Sequence, residues 1–486
     1  MESLQNLTLH QAAAAVRAGE LTAERLTQSY LDRIERSAKA LGAFLSLDAN
    51  GALEQARAVD QARAAGKALG ALAGVPFGLK DNLCVRGLPT TCASKILEGY
   101  RPPYDAHVVE RLRAAGAVLV GKLNMDEFAM GSSNESSAYG LVRNPWDLER
   151  APGGSSGGSA AATAARLVLG ALGTDTGGSV RQPAAFCGVT AMKPTYGRVS
   201  RYGVVAFASS LDQVGPITRT AKDTATVLSV IAGRDERDAT TSAKPVQDYV
   251  AECGAPIKGL RIGVVREALE GCDADVVASI ERAISALREA GCEITDVQLP
   301  HAKHALAVYY IIAPAEASSN LARFDGMRYG PRVEGADLRE TYAKTRRAGF
   351  GPEVRRRIML GTYALSAGYY DAFYIKASKV RTLIRQDYDR AFERCDVILT
   401  PTSPTPAFKL GEVKDPLTMY KQDIFTLPAP LAGVPALSMP SGLSKNGLPL
   451  GLQLEAPPFR EDLVVRVAHA LEERIGVLPA PTGYES

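Results

Sequence analysis

Two glycine-rich serine elements stand close together in the chain. Residues 151–181 read APGGSSGGSAAATAARLVLGALGTDTGGSVR, with Ser155 after one Gly-Gly pair and Ser179 after another. Glycine takes positive φ readily and lets a backbone turn its N–H groups toward a ligand. A glycine-rich turn that feeds a helix N-terminus suits a developing oxyanion. One Gly-Gly-Ser reads as an ordinary tight loop; two of them flanking an Ala-rich segment read as a serine nucleophile with its supporting loop. No lysine follows these glycines in the order a phosphate loop requires, so that reading fails. Gly-x-Ser-x-Gly fits both Ser155 and Ser156, as in a nucleophile elbow, but that chemistry wants a histidine late in the chain. The histidines are His10, His107, His301, His304 and His469. His469 falls in an amphipathic helical stretch, and His301 and His304 lack the nearby carboxylates of a metal site, so a Ser-His-Asp arrangement finds no support. A different base is needed. Lys80 ends the apolar run 74–79 and precedes Asp81 and Asn82. A lone lysine is usually solvated surface. One at the end of a buried strand is desolvated, which lowers its pKa and makes it a usable base.

The elements that must position these groups are legible as alternating helices and strands. Thr8 and Gln11 have capping-box spacing before an Ala-rich run, and Gly19 ends that helix. Thr22 is placed to cap the next helix, with Leu26, Tyr30, Leu31 and Ile34 at helical spacing. A further helix is expected over residues 51–65. Short apolar runs at 116–120, 260–265, 397–399 and 450–454 read as buried strands, with helical segments between. This alternation predicts an α/β fold with a mixed sheet. The polar stretch 233–244 is the best linker candidate, but strand signals on both sides favour one domain over residues 1–486. Within it, 1–65 is a helical N-terminal part, 66–220 holds the glycine-rich core, and 245–486 carries the remaining sheet and the specificity region.

Composition bounds the function. The chain has 486 residues, 46% hydrophobic and 22% charged, and a formal net charge of only +3. That is ordinary for a soluble globular protein and argues against a broad phosphate-binding face. Seven cysteines, with no Cys-x-x-Cys pair, read as reduced thiols of a cytoplasmic protein. The N-terminus lacks a signal-peptide pattern, and the longest small-apolar stretch, 160–172, is interrupted by Arg166 and is too short to span a bilayer.

Residues 74–82 (GVPFGLKDN), 153–159 (GGSSGGS) and 173–179 (GTDTGGS) closely resemble the amidase signature family. The resemblance implies its fold, a central mixed twisted β-sheet covered by helices on both faces. It also implies a Ser-cisSer-Lys mechanism, with Ser155 as nucleophile, Ser179 as the cis-peptide serine that relays the proton, and Lys80 as base. The N–H groups around Thr176, Gly177, Gly178 and Ser179 would hold the oxyanion. Residues 121–135, 193–216 and 356–366 are similar to the A-type subunits of bacterial tRNA-dependent amidotransferases, a likeness that runs nearly the full length. Such a subunit releases ammonia from glutamine. Its B and C partners form a heterotrimer with it, and the B subunit, using ATP and Mg, amidates mischarged glutamyl-tRNA(Gln) and in many complexes aspartyl-tRNA(Asn). The resemblance then implies Asp423 for the α-ammonium of glutamine and one arginine of 355–357, Arg356 by spacing, for its α-carboxylate. It implies no cofactor on this chain and no membrane. The alternative is a free-standing amidase acting on small or fatty amides.

Overall fold

A computed structural model describes residues 4–484. Eleven strands form one mixed sheet: β1 Phe44–Leu47, β2 Pro76–Lys80, β3 Val118–Leu123, β4 Gly170–Asp175, β5 Thr190–Lys193, β6 Gln213–Thr218, β7 Arg261–Val264, β8 Glu293–Asp296, β9 Val397–Pro401, β10 Ala436–Leu443 and β11 Pro449–Glu455. Their order is β1-β3-β2-β4-β6-β5-β10-β11-β9-β7-β8. Strands from both sides of the polar stretch 233–244 take part in this one sheet. Strands β2, β3, β4 and β6 are buried at every position. That is why the sequence shows them as continuous apolar or small runs instead of an alternating pattern.

β2 and β4 are parallel neighbours, with Leu79 opposite Leu172. Their carboxyl ends therefore lie on the same edge of the sheet, the edge where ligands bind in open α/β sheets. Lys80 ends β2, and Asp175 ends β4 and leads into the loop 176–180. The Ala-rich helix Gly157–Ala164 lies between β3 and β4 in the chain and starts two residues after Ser155. The next helix, Arg181–Cys187, starts two residues after Ser179. Each serine thus sits in the turn that opens a helix, and both turns meet at the end of β2.

The N-terminal part is helical. Thr8 and Gln11 form the predicted capping box of helix Leu9–Ala18, and Gly19 closes it with φ 81°. The Thr22 hydroxyl accepts from Arg25 N at 3.2 Å, capping helix Ala23–Leu41. Arg33 of that helix donates to the carbonyls of Ala165 at 3.3 Å and Tyr484 at 2.5 Å, fastening the two ends of the chain together. His469 lies on helix Glu461–Ile475, and His301 faces Asp387, with Nδ1 2.9 Å from Oδ1. Neither is near the serines in the hydrogen-bond network. All seven cysteines are free thiols. Among the described residues no helix is long and apolar enough to cross a membrane.

Candidate active site

Lys80 is fully buried. Its Nζ lies 2.7 Å from Ser155 Oγ, 2.8 Å from Ser156 Oγ and 3.3 Å from the Thr174 carbonyl. Burial lowers its pKa from 10.5 to about 7, against the opposing pull of Asp126, Asp175 and Asp212. A lysine so placed is partly neutral near physiological pH and has a lone pair for a serine proton. Ser156 returns a bond to the Thr174 carbonyl at 3.3 Å, which fixes the amine against the end of β4. Among the described residues Lys80 makes no hydrogen bond to Ser179.

The two serines differ in their surroundings. Ser155 is wholly buried, whereas Ser179 keeps 8% of its surface open. The cis peptide bond is Gly154–Ser155. The expectation that placed it at Ser179 is corrected, because the serine next to Lys80 is Ser155. The turns touch directly, with Ser156 N donating to the Ser179 carbonyl at 3.0 Å. Asp126 braces the Ser155 side: its carboxylate accepts from Asn134 N and Ser136 Oγ at 2.9 and 2.8 Å, and its N–H donates to the Ser155 carbonyl at 3.1 Å.

The loop after β4 is held from three sides. Asp175 receives a bidentate ion pair from Arg181 at 2.9 Å for both contacts, with both side chains fully buried. Burial pushes the Asp175 carboxyl up, but Arg181 outweighs it and holds the group below its ordinary range. The Thr176 hydroxyl donates to Asp212 at 2.7 Å, and Thr426 donates to the Gly177 carbonyl at 2.7 Å. Gly178 has φ 134°, and a Cβ there would lie 2.1 Å from Thr426 Oγ1, so only glycine fits. The Gly178 N–H is already taken by Asp175 Oδ1 at 2.8 Å. This corrects its expected part in an oxyanion hole. The N–H groups of Thr176, Gly177 and Ser179 have no acceptor among the described residues and stand free beside Ser179.

A polar pocket wall lies next to this loop. Asp423 is buried, and Ser132 Oγ donates to its Oδ2. Its Oδ1 is buried without any partner among the described residues. Burial raises the Asp423 carboxyl to about 7, with Ser132 and Arg357 opposing. Arg357 is 2% exposed and donates from Nε to Glu353 Oε1 at 2.8 Å. Its guanidinium lies 5.1 and 5.4 Å from the ring centres of Tyr310 and Tyr420, which stack at 3.9 Å. Its two outer nitrogens bond to no protein group among the described residues. An orphaned carboxylate oxygen is costly to bury unless a ligand meets it, and a free guanidinium fork matches a carboxylate. Tyr309 connects wall and loop, since a Cβ on Gly177 would lie 2.7 Å from its ring.

A family model described as Amidase matches residues 25–465. The chain belongs to the amidase family. This amidase is 58% identical over 472 residues to the A-subunit of glutamyl-tRNA(Gln) amidotransferase from Moorella thermoacetica, with 97% of each chain covered. It is 58% identical over 484 residues to the protein of the same name in Anaeromyxobacter dehalogenans, covering 99% of this chain and 98% of that one. Among solved structures, the A-subunit of glutamyl-tRNA(Gln) amidotransferase from Thermotoga maritima matches with a TM-score of 0.83 at 45% identity, over 99% of this chain and 98% of that one. The native peptide amidase of Stenotrophomonas maltophilia matches with a TM-score of 0.84 at 34% identity, over 98% of each.

The amidase brings most of the sequence-predicted residues together: Lys80, Ser155, Ser179, Thr176, Gly177 and Asp423 lie around one site. Arg356 does not join them. Its side chain is 46% exposed and pairs at the surface with Glu353. The arginine that faces inward is Arg357, because the buried positions of helix Pro352–Ala364 are Val354, Arg357, Gly361 and Ala364. Arg356 instead lines up with Met359, Leu360 and Tyr363, a second apolar stripe at helical spacing. Two stripes on one helix left the sequence pattern ambiguous. Tyr309, Tyr310 and Glu353 also escaped the sequence reading, because no short motif marks them, and Ser132 lies within 121–135 without any residue pattern that singles it out.

Proposed function

We propose that this chain is the glutamine-hydrolysing subunit of a tRNA-dependent amidotransferase, and that Ser179, not Ser155, is its nucleophile. The reading rests chiefly on one observation: Lys80 holds Ser155 at 2.7 Å, while Ser179 keeps 8% of its surface open on a loop that Thr426 ties to Asp423, whose wall offers an orphaned carboxylate oxygen and a free guanidinium fork. A free amino acid has the α-ammonium for Asp423 and the α-carboxylate for Arg357. A fatty amide has neither, and would leave Asp423 Oδ1 and the outer nitrogens of Arg357 without a partner.

Neutral Lys80 takes the proton of Ser155, which takes that of Ser179. Ser179 Oγ attacks the side-chain amide carbon of glutamine, and the N–H groups of Thr176, Gly177 and Ser179 stabilise the oxyanion. As the C–N bond breaks, the relay returns a proton to the leaving nitrogen through Ser155, and ammonia departs. Water then attacks the γ-glutamyl ester on Ser179, again through Ser155 and Lys80, and frees glutamate. The ammonia serves ATP- and Mg-dependent amidation of mischarged glutamyl-tRNA(Gln) on a partner subunit. On this reading the chain works in the cytoplasm with B- and C-type partners, the B subunit holding the tRNA.

The test is ammonia release from glutamine by the chain alone and with its partner subunits, beside hydrolysis of simple amides. Glutamine-dependent amidation of mischarged tRNA by the reconstituted complex is expected. A lone chain that hydrolyses simple amides at full rate and never assembles would overturn the reading.

A further inference from the structure

The segment after β3 touches every part of the site. Asp126 braces the Ser155 turn, and Ser132 donates to Asp423. Between them lies Glu127, a carboxylate that is 1% exposed and has no part in the chemistry above. Its two oxygens accept from Gly351 N at 3.1 and 2.9 Å, and Ser94 Oγ donates to Oε1. Ser94 Oγ also lies 3.1 Å from the Gly349 carbonyl. Gly351 opens helix Pro352–Ala364, which has no side-chain cap of its own. Arg357 lies six residues further on, about 9 Å along the axis.

The entry to this helix is gripped a second time. The ring of Phe128 packs 5.6 Å from that of Phe350. Phe128, Ala129 and Asn134 all hold positive φ, at 50°, 62° and 64°. Non-glycine residues stay in that region only where their surroundings over-determine them, and such places cluster at active sites and ligand clamps. The Glu127 contact has no slack, since a Cβ on Gly351 would lie 2.3 Å from Oε2. Burial raises the Glu127 carboxyl to about 7, against the bonds from Ser94 and Gly351. The group is therefore only partly ionised near neutral pH, and its reach matters more than its charge.

We infer that, on the glutaminase reading above, Glu127 is the positioning residue for the α-carboxylate of glutamine. It ties the entry of helix Pro352–Ala364 to the segment that also holds Asp423, and so fixes the spacing between Arg357 and Asp423. The α-ammonium and α-carboxylate of glutamine stand a set distance apart, and both are met only while their receptors keep that spacing. The experiment measures glutamine hydrolysis by the complex of this chain with its partner subunits. Glu127→Asp keeps the carboxylate but shortens the side chain by one methylene. It should raise KM for glutamine about 10- to 100-fold, the scale of a group displaced by about 1 Å, with kcat changed less. Glu127→Gln keeps the length: its Oε1 can accept from Gly351 N while Nε2 donates to Ser94. It should hold KM within about threefold of wild type. In an Arg357→Ala background, Glu127→Asp should lower kcat/KM by no more than about twofold, because both changes act on one contact. Amidation of mischarged tRNA driven by exogenous ammonium should be unchanged in Glu127→Asp, showing that the variant folds and assembles. A wild-type KM in Glu127→Asp, an equal loss in the Asp and Gln variants, a loss confined to kcat, or a full further loss in the Arg357→Ala background overturns the inference. So does failure of Glu127→Asp with both nitrogen donors, since the residue then holds the fold and not the ligand. If the wild-type complex releases no ammonia from glutamine, the glutaminase reading itself falls, and this role with it.

Discussion

Ser155 and Ser179 share one motif type, and the division of labour proposed for them predicts two different variants. Ser179→Ala removes the attacking oxygen, so no covalent intermediate should form. Ser155→Ala leaves the attacking oxygen and breaks the path to Lys80; glutaminase kcat should fall by about 10²–10⁴, the usual worth of general base catalysis. Mass spectrometry after reaction with an electrophilic glutamine analogue decides between them: the adduct belongs on Ser179, and an adduct on Ser155 would reverse the order. Lys80 gives the pH dependence. Its folded pKa of about 7 lies below the ordinary lysine value, and only the neutral form accepts a proton. Glutaminase kcat/KM should therefore rise with pH, half-maximal near 7, and flatten above it. Lys80→Arg stays protonated and should be as inactive as Lys80→Ala. In the pocket, Asp423→Asn and Arg357→Lys should each weaken glutamine use about 10- to 100-fold, the worth of a charge-assisted hydrogen bond of roughly 1.5–3 kcal/mol. Amidation driven by exogenous ammonium should survive both changes, and Arg356→Ala should leave glutamine use within about twofold. The motifs made these residues legible because their glycines have a chemical reason to be there. The order of the serines was not legible, since it depends on which hydroxyl meets an amine 75 or 99 positions away in the chain.

The elements set how precisely these groups are held. The loop after β4 hangs on the buried Asp175–Arg181 pair, which also reaches Gln453 at 2.6 Å and the Thr426 carbonyl at 2.9 Å. Removing one partner of such a pair strands a buried charge and costs about 3–5 kcal/mol. Arg181→Met should lower the melting temperature of the isolated chain and its kcat together, measured by thermal unfolding and ammonia release. Helix Pro352–Ala364 is held differently, by closeness. A Cβ on Gly361 would lie 1.9 Å from the carbonyl oxygen of Pro314, in helix Ala305–Asn320. Gly361→Ala must therefore push the helix outward and carry Arg357 with it. The expected result is a raised KM for glutamine with a much smaller change in simple-amide hydrolysis; an unchanged KM would show that the helix yields without moving Arg357. Strands β2, β3, β7, β9 and β11 could be read as apolar runs, because burial on both sides writes itself into composition. The rotation of this helix could not, because both of its faces carry apolar residues for different reasons.

At the scale of the whole molecule, the sheet is assembled out of chain order. Strands β1–β6 form one side, and β9, β7 and β8 form the other. Only β10 and β11 join them: β10 pairs with β5 on one flank and with β11 on the other, and β11 pairs with β9. The single-domain reading followed from strand signals on both sides of 233–244, but nothing local reveals that the seventh position in the sheet is filled by its tenth strand. A chain ending at residue 435 should not yield a smaller folded unit. It should be insoluble or open to limited proteolysis throughout 245–435, whereas a stable fragment there would show that the second side stands alone. The order has a consequence for synthesis. A ribosome adds about 5–20 residues per second, so roughly 10–40 s separate the emergence of β7 from that of β11. Through that interval the open edge of β5 and the apolar strands β7 and β9 wait without the neighbours that will cover them. The nascent chain thus carries its greatest aggregation hazard late in translation, and the burden of shielding it falls on chaperones at the ribosome exit.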